Sequence, residues 1–397
     1  MTISPQIVHL LCLGGISFAA TFLCVPLAKR IAFKFNAIDY PSARRVNKTP
    51  MPRMGGIAMF AGVMAALIFE LLGEHFFDWH ELYRSARFLQ VNYVGVLAGL
   101  SVVCLVGAID DVKSLKPRMK LFGQIVGACI IVASGVLLAS IKNPFAPGFI
   151  EFGWFAYPLT VFYLVAFMNV INLVDGLDGL AAGITAIAAF ALFMIAIGKF
   201  RAETAMFAIV LLGATLAFLR YNFAPASIFM GDSGSLFLGA MLGVISLLGV
   251  IRSPTVVVLA ASLIIAAIPI MDTFVAIVRR LKNHQPIQQA DAKHLHHKLL
   301  REGFTPRKSV LIVYAWTAFL ALGAYTISNS SGVKVFVVFV ILAVVSFLVL
   351  LKLGIFEPVL RHHYNKRSPR AGRHVDEPLK NKDEKPSPKD GSNGNSQ

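Results

Sequence analysis

The 397-residue chain is 56% hydrophobic and 15% charged, with a mean hydropathy of +0.69. Soluble domains carry nearer a quarter charged residues, so a soluble fold is excluded. The net charge of +16 raises nucleic-acid binding as an alternative, which the placement of the charges then decides.

Apolar runs of about twenty residues, each able to cross a bilayer as a helix, recur at 7–28, 54–72, 91–109, 121–141, 157–174, 180–198, 204–221, 236–251, 255–278, 309–327 and 335–353. A β-barrel would show shorter alternating segments instead. The first run has no Lys or Arg before it and Lys29, Arg30 and Lys34 just after it, which reads as a signal anchor with its N-terminus outside. With that orientation, 30 of the 37 Lys and Arg residues fall in inside-facing segments. The basic excess is therefore membrane topology and attraction to anionic headgroups, with no nucleic acid implied. The expected fold is all-α: a polytopic membrane helix bundle of about 11 transmembrane helices, N-terminus outside and C-terminus cytoplasmic. Residues 1–355 form the membrane domain, and 356–397 a basic tail too poor in apolar residues to build a core, hence disordered. Cys12, Cys24, Cys104 and Cys129 lie inside apolar runs without CxxC spacing, which reads as small buried hydrophobes.

Five aspartates stand at the ends of these runs, and alternation places all five on the cytoplasmic side. Asp110 and Asp111 close the third span in DDVKSLKPRMK, beside Lys113, Lys116, Arg118 and Lys120. Adjacent carboxylates repel unless a metal or cations compensate them. Taken alone, the block is equally an ordinary turn punctuated by Pro117.

In NVINLVDGLDG, Asn169, Asn172, Asp175 and Asp178 are spaced by three. On a helix each lags its predecessor by about 60°, so the first three share one polar face at the end of an apolar span. A helix cap needs one such residue, not four. In NFAPASIFMGDSGS, Asp232 opens the eighth span between two glycines; alone, it reads as that helix's N-cap. Mg²⁺ takes one or two carboxylates together with waters and substrate phosphates, a count that Asp175 and Asp232 supply. The basic segment DAKHLHHKLLREGF carries His294, His296 and His297 beside Lys293 and Lys298. Phosphate or headgroup contact suits it; zinc is the alternative, but without Cys ligands or a carboxylate at a zinc-motif spacing.

Together these blocks resemble the polyprenyl-phosphate N-acetylhexosamine-1-phosphate transferases, from RRVNKTPMPRMGG (44–56) through HLHH. Pro269 and Asp272 in PIMDT and the form HLHHKLL are similar to the bacterial undecaprenyl-phosphate GlcNAc-1-phosphate transferase branch. The phospho-MurNAc-pentapeptide branch, which carries a different histidine motif, is the alternative. The resemblance implies transfer of GlcNAc-1-phosphate from UDP-GlcNAc to undecaprenyl phosphate with release of UMP, in a bacterial inner membrane. It implies Mg²⁺, or Mn²⁺ in its place, a cytoplasmic-face site, tunicamycin sensitivity and a homodimer as a compatible assembly. It assigns Asp175 and Asp232 to the metal and Asp110 and Asp111 to the catalytic acidic pair. Lys120 and the three histidines match phosphate contacts; Asp178, Asn222 and Phe229 match the nucleotide pocket. Asn172 joins the substrate-binding set from the polar face, and Arg44, Arg45, Lys48 and Arg53 fall in a substrate loop. A cation-coupled transporter, with Asp272 inside the ninth span as its main support, and a zinc hydrolase using HLHH are readings of other classes.

Overall fold

The computed structural model describes residues 5–40, 49–77, 91–143, 146–251, 263, 267–282, 299–300 and 302–352. They are overwhelmingly helical: α1 (Pro5–Lys34), α2 (Gly55–Phe77), α3 (Tyr93–Lys113), α4 (Pro117–Ala133), α5 (Ala156–Val174), α6 (Leu180–Gly198), α7 (Ala202–Asn222), α8 (Gly231–Ile251), α9 (Ala267–Lys282), α10 (Pro306–Ser328) and α11 (Val333–Lys352). Helix is what a bilayer demands of an apolar run, because hydrocarbon offers no partner for an unpaired backbone N–H or C=O. Among the described residues, nine of these helices are long and apolar enough to cross a membrane.

The difference from 11 lies in two places. The span expected at 121–141 is helical only to Ala133, 17 residues in all, or about 25 Å against a hydrocarbon core of about 30 Å. Ser134 and Gly135 stop it: Gly135 takes φ +96°, the left-handed residue that ends helices and that hydropathy does not register. The chain then turns into a hairpin of β3 (Ser140–Lys142) and β4 (Phe149–Glu151), while β1 (Ile38–Asp39) and β2 (Met51–Pro52) pair earlier in the chain. The span expected at 255–278 is described only in its second half, where α9 carries Asp272. The tail at 356–397 lies outside the described residues. At the N-terminal end, α1 runs to 30 residues, so Lys29, Arg30 and Lys34 stand on its last turns and not in a loop.

The helices divide into enclosed and peripheral ones. In α8, 89% of the membrane-length window is buried, whereas α11 buries 11% of its own and presents the rest as apolar side chains suited to lipid. Phe207 and Phe218 of α7 and Phe237 of α8 are fully buried, packed with Leu100 of α3 and Met168 of α5.

This enclosed group brings distant helix ends together. The N–H groups of Gly55 and Gly56 bond the carbonyls of Phe229 and Met230 at 3.0 and 2.9 Å, seating the start of α2 on the chain that enters α8. Arg53 forms a parallel bridge with Phe229. One turn before Asp111 in α3, a Cβ added to Gly107 would come within 2.5 Å of the Asp232 carbonyl oxygen. Only glycine lets these two backbones approach so closely.

Candidate active site

The close approach at Gly107 fixes what Asp111 does. Its side chain, on a residue 1% exposed, accepts the backbone N–H of Asp232 at 2.7 Å and of Ser233 at 3.0 Å. Asp111 thus caps the first turn of α8 from another helix, satisfying donors that have no partner within α8 and placing negative charge at its positive end. Asp232 is not the cap that its position in the sequence offers, and its side chain is left for other work. Arg53 holds this arrangement from the other side, donating Nε and Nη2 to the Asp111 carbonyl at 3.2 and 3.0 Å.

Lys120, in the first turn of α4, then ties three helix ends together. Its Nζ lies 3.0 Å from Asp110 Oδ2 and 2.8 Å from Asp232 Oδ1, and 3.4 Å from Asn172 Oδ1 on the last turn of α5. Asn172 Nδ2 donates to Asp232 Oδ1 and to Ser235 Oγ at 2.8 Å. Asp110 and Asp232 thus share one ammonium. One turn deeper, Asn169 Nδ2 donates to Gln124 Oε1 at 2.7 Å, holding α4 and α5 in register beneath Lys120 and Asn172. Four helix ends spread over more than a hundred positions of sequence therefore form one polar cluster, with the Asp232 side chain 26% exposed.

Asp175 follows the last residue of α5 and opens the turn to α6. Among the described residues its carboxylate has no hydrogen-bond or ion-pair partner. Burial raises its pKa to about 7, and the charges of Asp232, Asp111 and Asp178 add to the shift. Only Lys120 among the described residues forms ion pairs with Asp110, Asp111, Asp175 or Asp232, so the ionised cluster keeps a surplus of negative charge. The donor set is all oxygen, and among the described residues no three of His, Cys, Asp or Glu gather into a metal cage. A charge surplus met by one or two carboxylates fits Mg²⁺, which retains waters and takes substrate oxygens, better than it fits zinc.

The residues expected in the nucleotide pocket are set just beyond. Asp178 Oδ2 accepts the Ala226 N–H at 2.9 Å. Asn222, 3% exposed, accepts the Gly179 N–H at 3.0 Å and donates to the Ile228 carbonyl at 2.9 Å. These two side chains stitch the turn at 175–179 to the loop at 223–230, with Asn222 wholly committed to backbone. Phe229 is half-buried, and its backbone is paired with Pro52 and Gly55. His294, His296 and His297, like Arg44, Arg45 and Lys48, lie outside the described residues.

Sequence reasoning missed Gln124 and the bidentate reach of Arg53. A glutamine inside an apolar span was the available signal for the first. Nothing local marked the second, because its acceptor is a main-chain oxygen 58 positions away.

Comparison with known proteins agrees with this geometry. Residues 93–250 match the family described as glycosyl transferase family 4, a stretch that holds Asp110, Asp111, Lys120, Asn172, Asp175, Asp178, Asn222, Phe229 and Asp232. The chain is 35% identical over 328 residues, 82% of its length and 87% of the relative's, to a Bacillus subtilis protein named "Probable undecaprenyl-phosphate N-acetylglucosaminyl 1-phosphate transferase". It is 34% identical over 340 residues (79% and 81% of the two chains) to a decaprenyl-phosphate N-acetylglucosaminephosphotransferase of Mycolicibacterium smegmatis. It is 28% identical over 328 residues (81% and 83%) to an undecaprenyl-phosphate alpha-N-acetylglucosaminyl 1-phosphate transferase of Yersinia pestis. The chain therefore belongs to glycosyl transferase family 4, among the polyprenyl-phosphate N-acetylhexosamine-1-phosphate transferases.

Proposed function

We propose that the protein transfers GlcNAc-1-phosphate from UDP-GlcNAc to undecaprenyl phosphate, releasing UMP, at the cytoplasmic face of a bacterial inner membrane. The observation that carries this reading is the surplus of carboxylate over ion-pairing cation, among the described residues, where the ends of α3, α4, α5 and α8 meet. The names of the relatives support the sugar phosphate and the polyprenyl acceptor, and the distribution of Lys and Arg supports the sidedness.

The reaction brings a phosphate monoester against a nucleotide diphosphate, two anions that repel. Asp175 and Asp232 are the residues that would hold Mg²⁺, which supplies neutralisation of both substrates and of the departing UMP. Lys120 adds a fixed positive charge beside the exposed edge of Asp232, where it can donate to a phosphate oxygen without leaving Asp110. Asp110 orients that ammonium. Asp111 acts through α8, holding Asp232 in place.

A phosphate monoester has its second pKa near 6, so at neutral pH the acceptor is already mostly ionised and needs no strong base. Direct attack on the sugar-bearing phosphorus follows. The near-complete burial of Asp111 and its two bonds to the start of α8 argue against its serving as a covalent nucleophile. A phosphorylated Asp111 trapped during turnover would overturn this mechanism.

The test is UMP release by the purified full-length protein with undecaprenyl phosphate, Mg²⁺ and a panel of UDP-sugars. UMP is expected with UDP-GlcNAc, and only when acceptor and metal are both present. No UMP from any donor would reject the proposal, and UMP from another UDP-N-acetylhexosamine alone would replace the donor.

A further inference from the structure

α10 lies outside the stretch that matches the family, yet it reaches the turn that carries Asp175 and Asp178. Tyr314, about two turns into α10 from Pro306, donates its hydroxyl to the Gly179 carbonyl at 2.5 Å. Arg307, in the first turn, donates Nε to the Ala224 carbonyl at 2.8 Å. One helix thus holds both loops that Asp178 and Asn222 stitch together, one bond to each.

The Tyr314 contact is built into its surroundings. Its ring lies on Gly183 so closely that any Cβ there would overlap the ring, so the absence of a side chain on α6 is what admits the phenol. Gly179 takes φ +80°, a conformation in which an L side chain is strained. A Cβ on it would also come within 3.1 Å of the Phe223 ring and 3.3 Å of the Tyr314 hydroxyl. The Gly179 residue is thereby pinned on both faces: Asn222 takes its N–H and Tyr314 its C=O. Asp178 is the residue immediately before it and Asp175 three further back, so the rotation of this residue sets where both carboxylates point. The opposite side of the site is held without α10, by Lys120 on Asp110 and Asp232 and by Arg53 on the end of α3.

We propose that Tyr314 is a positioning residue for the donor half of the reaction, its hydroxyl holding the turn at 175–179 in the orientation that binds nucleotide sugar and metal. This rests on the reading of that turn as the metal and nucleotide side of a GlcNAc-1-phosphate transferase. The hydroxyl, and not the ring, is the working part: the ring fills the space over Gly183, and the O–H reaches the carbonyl.

The experiment compares wild type, Tyr314→Phe and Tyr314→Leu in UMP release, with UDP-GlcNAc, undecaprenyl phosphate and Mg²⁺ each titrated separately. Tyr314→Phe keeps the ring and is expected to lose roughly fivefold to tenfold in kcat/KM for UDP-GlcNAc, the size of one net hydrogen bond. It should also need several-fold more Mg²⁺ for half-maximal rate, with the KM for undecaprenyl phosphate unchanged. Tyr314→Leu, which loses ring and hydroxyl together, should show the same split with a larger loss. Tyr314→Phe indistinguishable from wild type, with Tyr314→Leu impaired, would assign the residue to packing alone and overturn the proposal. A fall in kcat with both KM values and the Mg²⁺ requirement unchanged would also overturn it, since that is fewer active molecules and not a displaced turn. Wild type that releases no UMP rejects the function itself, a distinct result.

Discussion

The two ends of α2 treat buried charge in opposite ways. Towards its far end Glu70, 2% exposed, meets Nε2 of the part-exposed His9 of α1 at 2.5 Å: one acid against one imidazole. About 22 Å away, at 1.5 Å per residue from Glu70 back to Gly55, α2 begins beside the cluster of four carboxylates, two of which, Asp110 and Asp232, share Lys120. Both arrangements place ionisable groups near the ends of apolar helices, and both are expensive to bury. The first gives the buried acid an imidazole partner and braces α1 against α2. The second holds more carboxylates than ion-pairing cations among the described residues, the feature on which the proposed metal and phosphate chemistry rests. Imbalance, more than burial, separates chemistry from architecture here.

Substitutions can break this comparison at either end. The largest effect is expected from Asp232→Asn, which keeps the shape but removes the charge that Lys120 and Asn172 both address. Turnover should fall by about a thousandfold or more, on the scale of losing a preorganised electrostatic contact and a metal ligand together. Size-exclusion behaviour in detergent should stay unchanged. Activity near wild type would remove Asp232 from the site.

Lys120→Met should lower turnover by about tenfold to a hundredfold, the value of charge-assisted bonds. With its cation gone the cluster is more negative, so the apparent affinity for Mg²⁺ should rise while the rate falls. Parallel loss of rate and metal affinity in a Mg²⁺ titration would show that Lys120 does not compete with the metal for Asp232.

Glu70→Gln tests the other end. Removing one partner of a buried pair should destabilise the protein by about 1–3 kcal/mol, seen as a lower melting temperature in detergent. Its kcat/KM per folded molecule should stay within about twofold, the margin expected of a substitution that touches no substrate. A specific loss of activity would mean that the two ends communicate.

The smallest effect concerns pH. The Asp175 pKa, raised to about 7, means that between pH 4 and 7 the folded metal-free protein holds a proton that the unfolded chain has released. Its stability should therefore fall as pH rises through that window, and Mg²⁺, which binds the ionised form, should oppose the trend. Melting temperatures in chelator against pH, compared with Asp175→Asn, measure the slope. An identical slope in that variant would assign it to other groups.

Much of the fold was legible because the bilayer simplifies the problem: ten of the expected spans coincide with helices or begin as one. The fourth failed at Ser134-Gly135, where a stop signal sits inside an apolar run and hydropathy averages it away. The site was legible in membership more than in roles. Asp110, Asp111, Lys120, Asn172 and Asp232 do come together, and Asn169 braces them one turn deeper through Gln124. That Asp111 caps α8, that Asn222 is spent on backbone and that Tyr314 holds Gly179 had no local signal, since each bond joins positions between 43 and 135 residues apart.

Sequence by itself determined that this chain is a helical membrane protein with its acids at the ends of spans, because in hydrocarbon each apolar run must satisfy its own backbone and each carboxylate must find a wet or compensated place. Tertiary structure decided which carboxylate is structural and which is left unmatched. That choice depends on how closely α3, α4, α5 and α8 approach one another, which glycines such as Gly107 permit and which no single segment can specify.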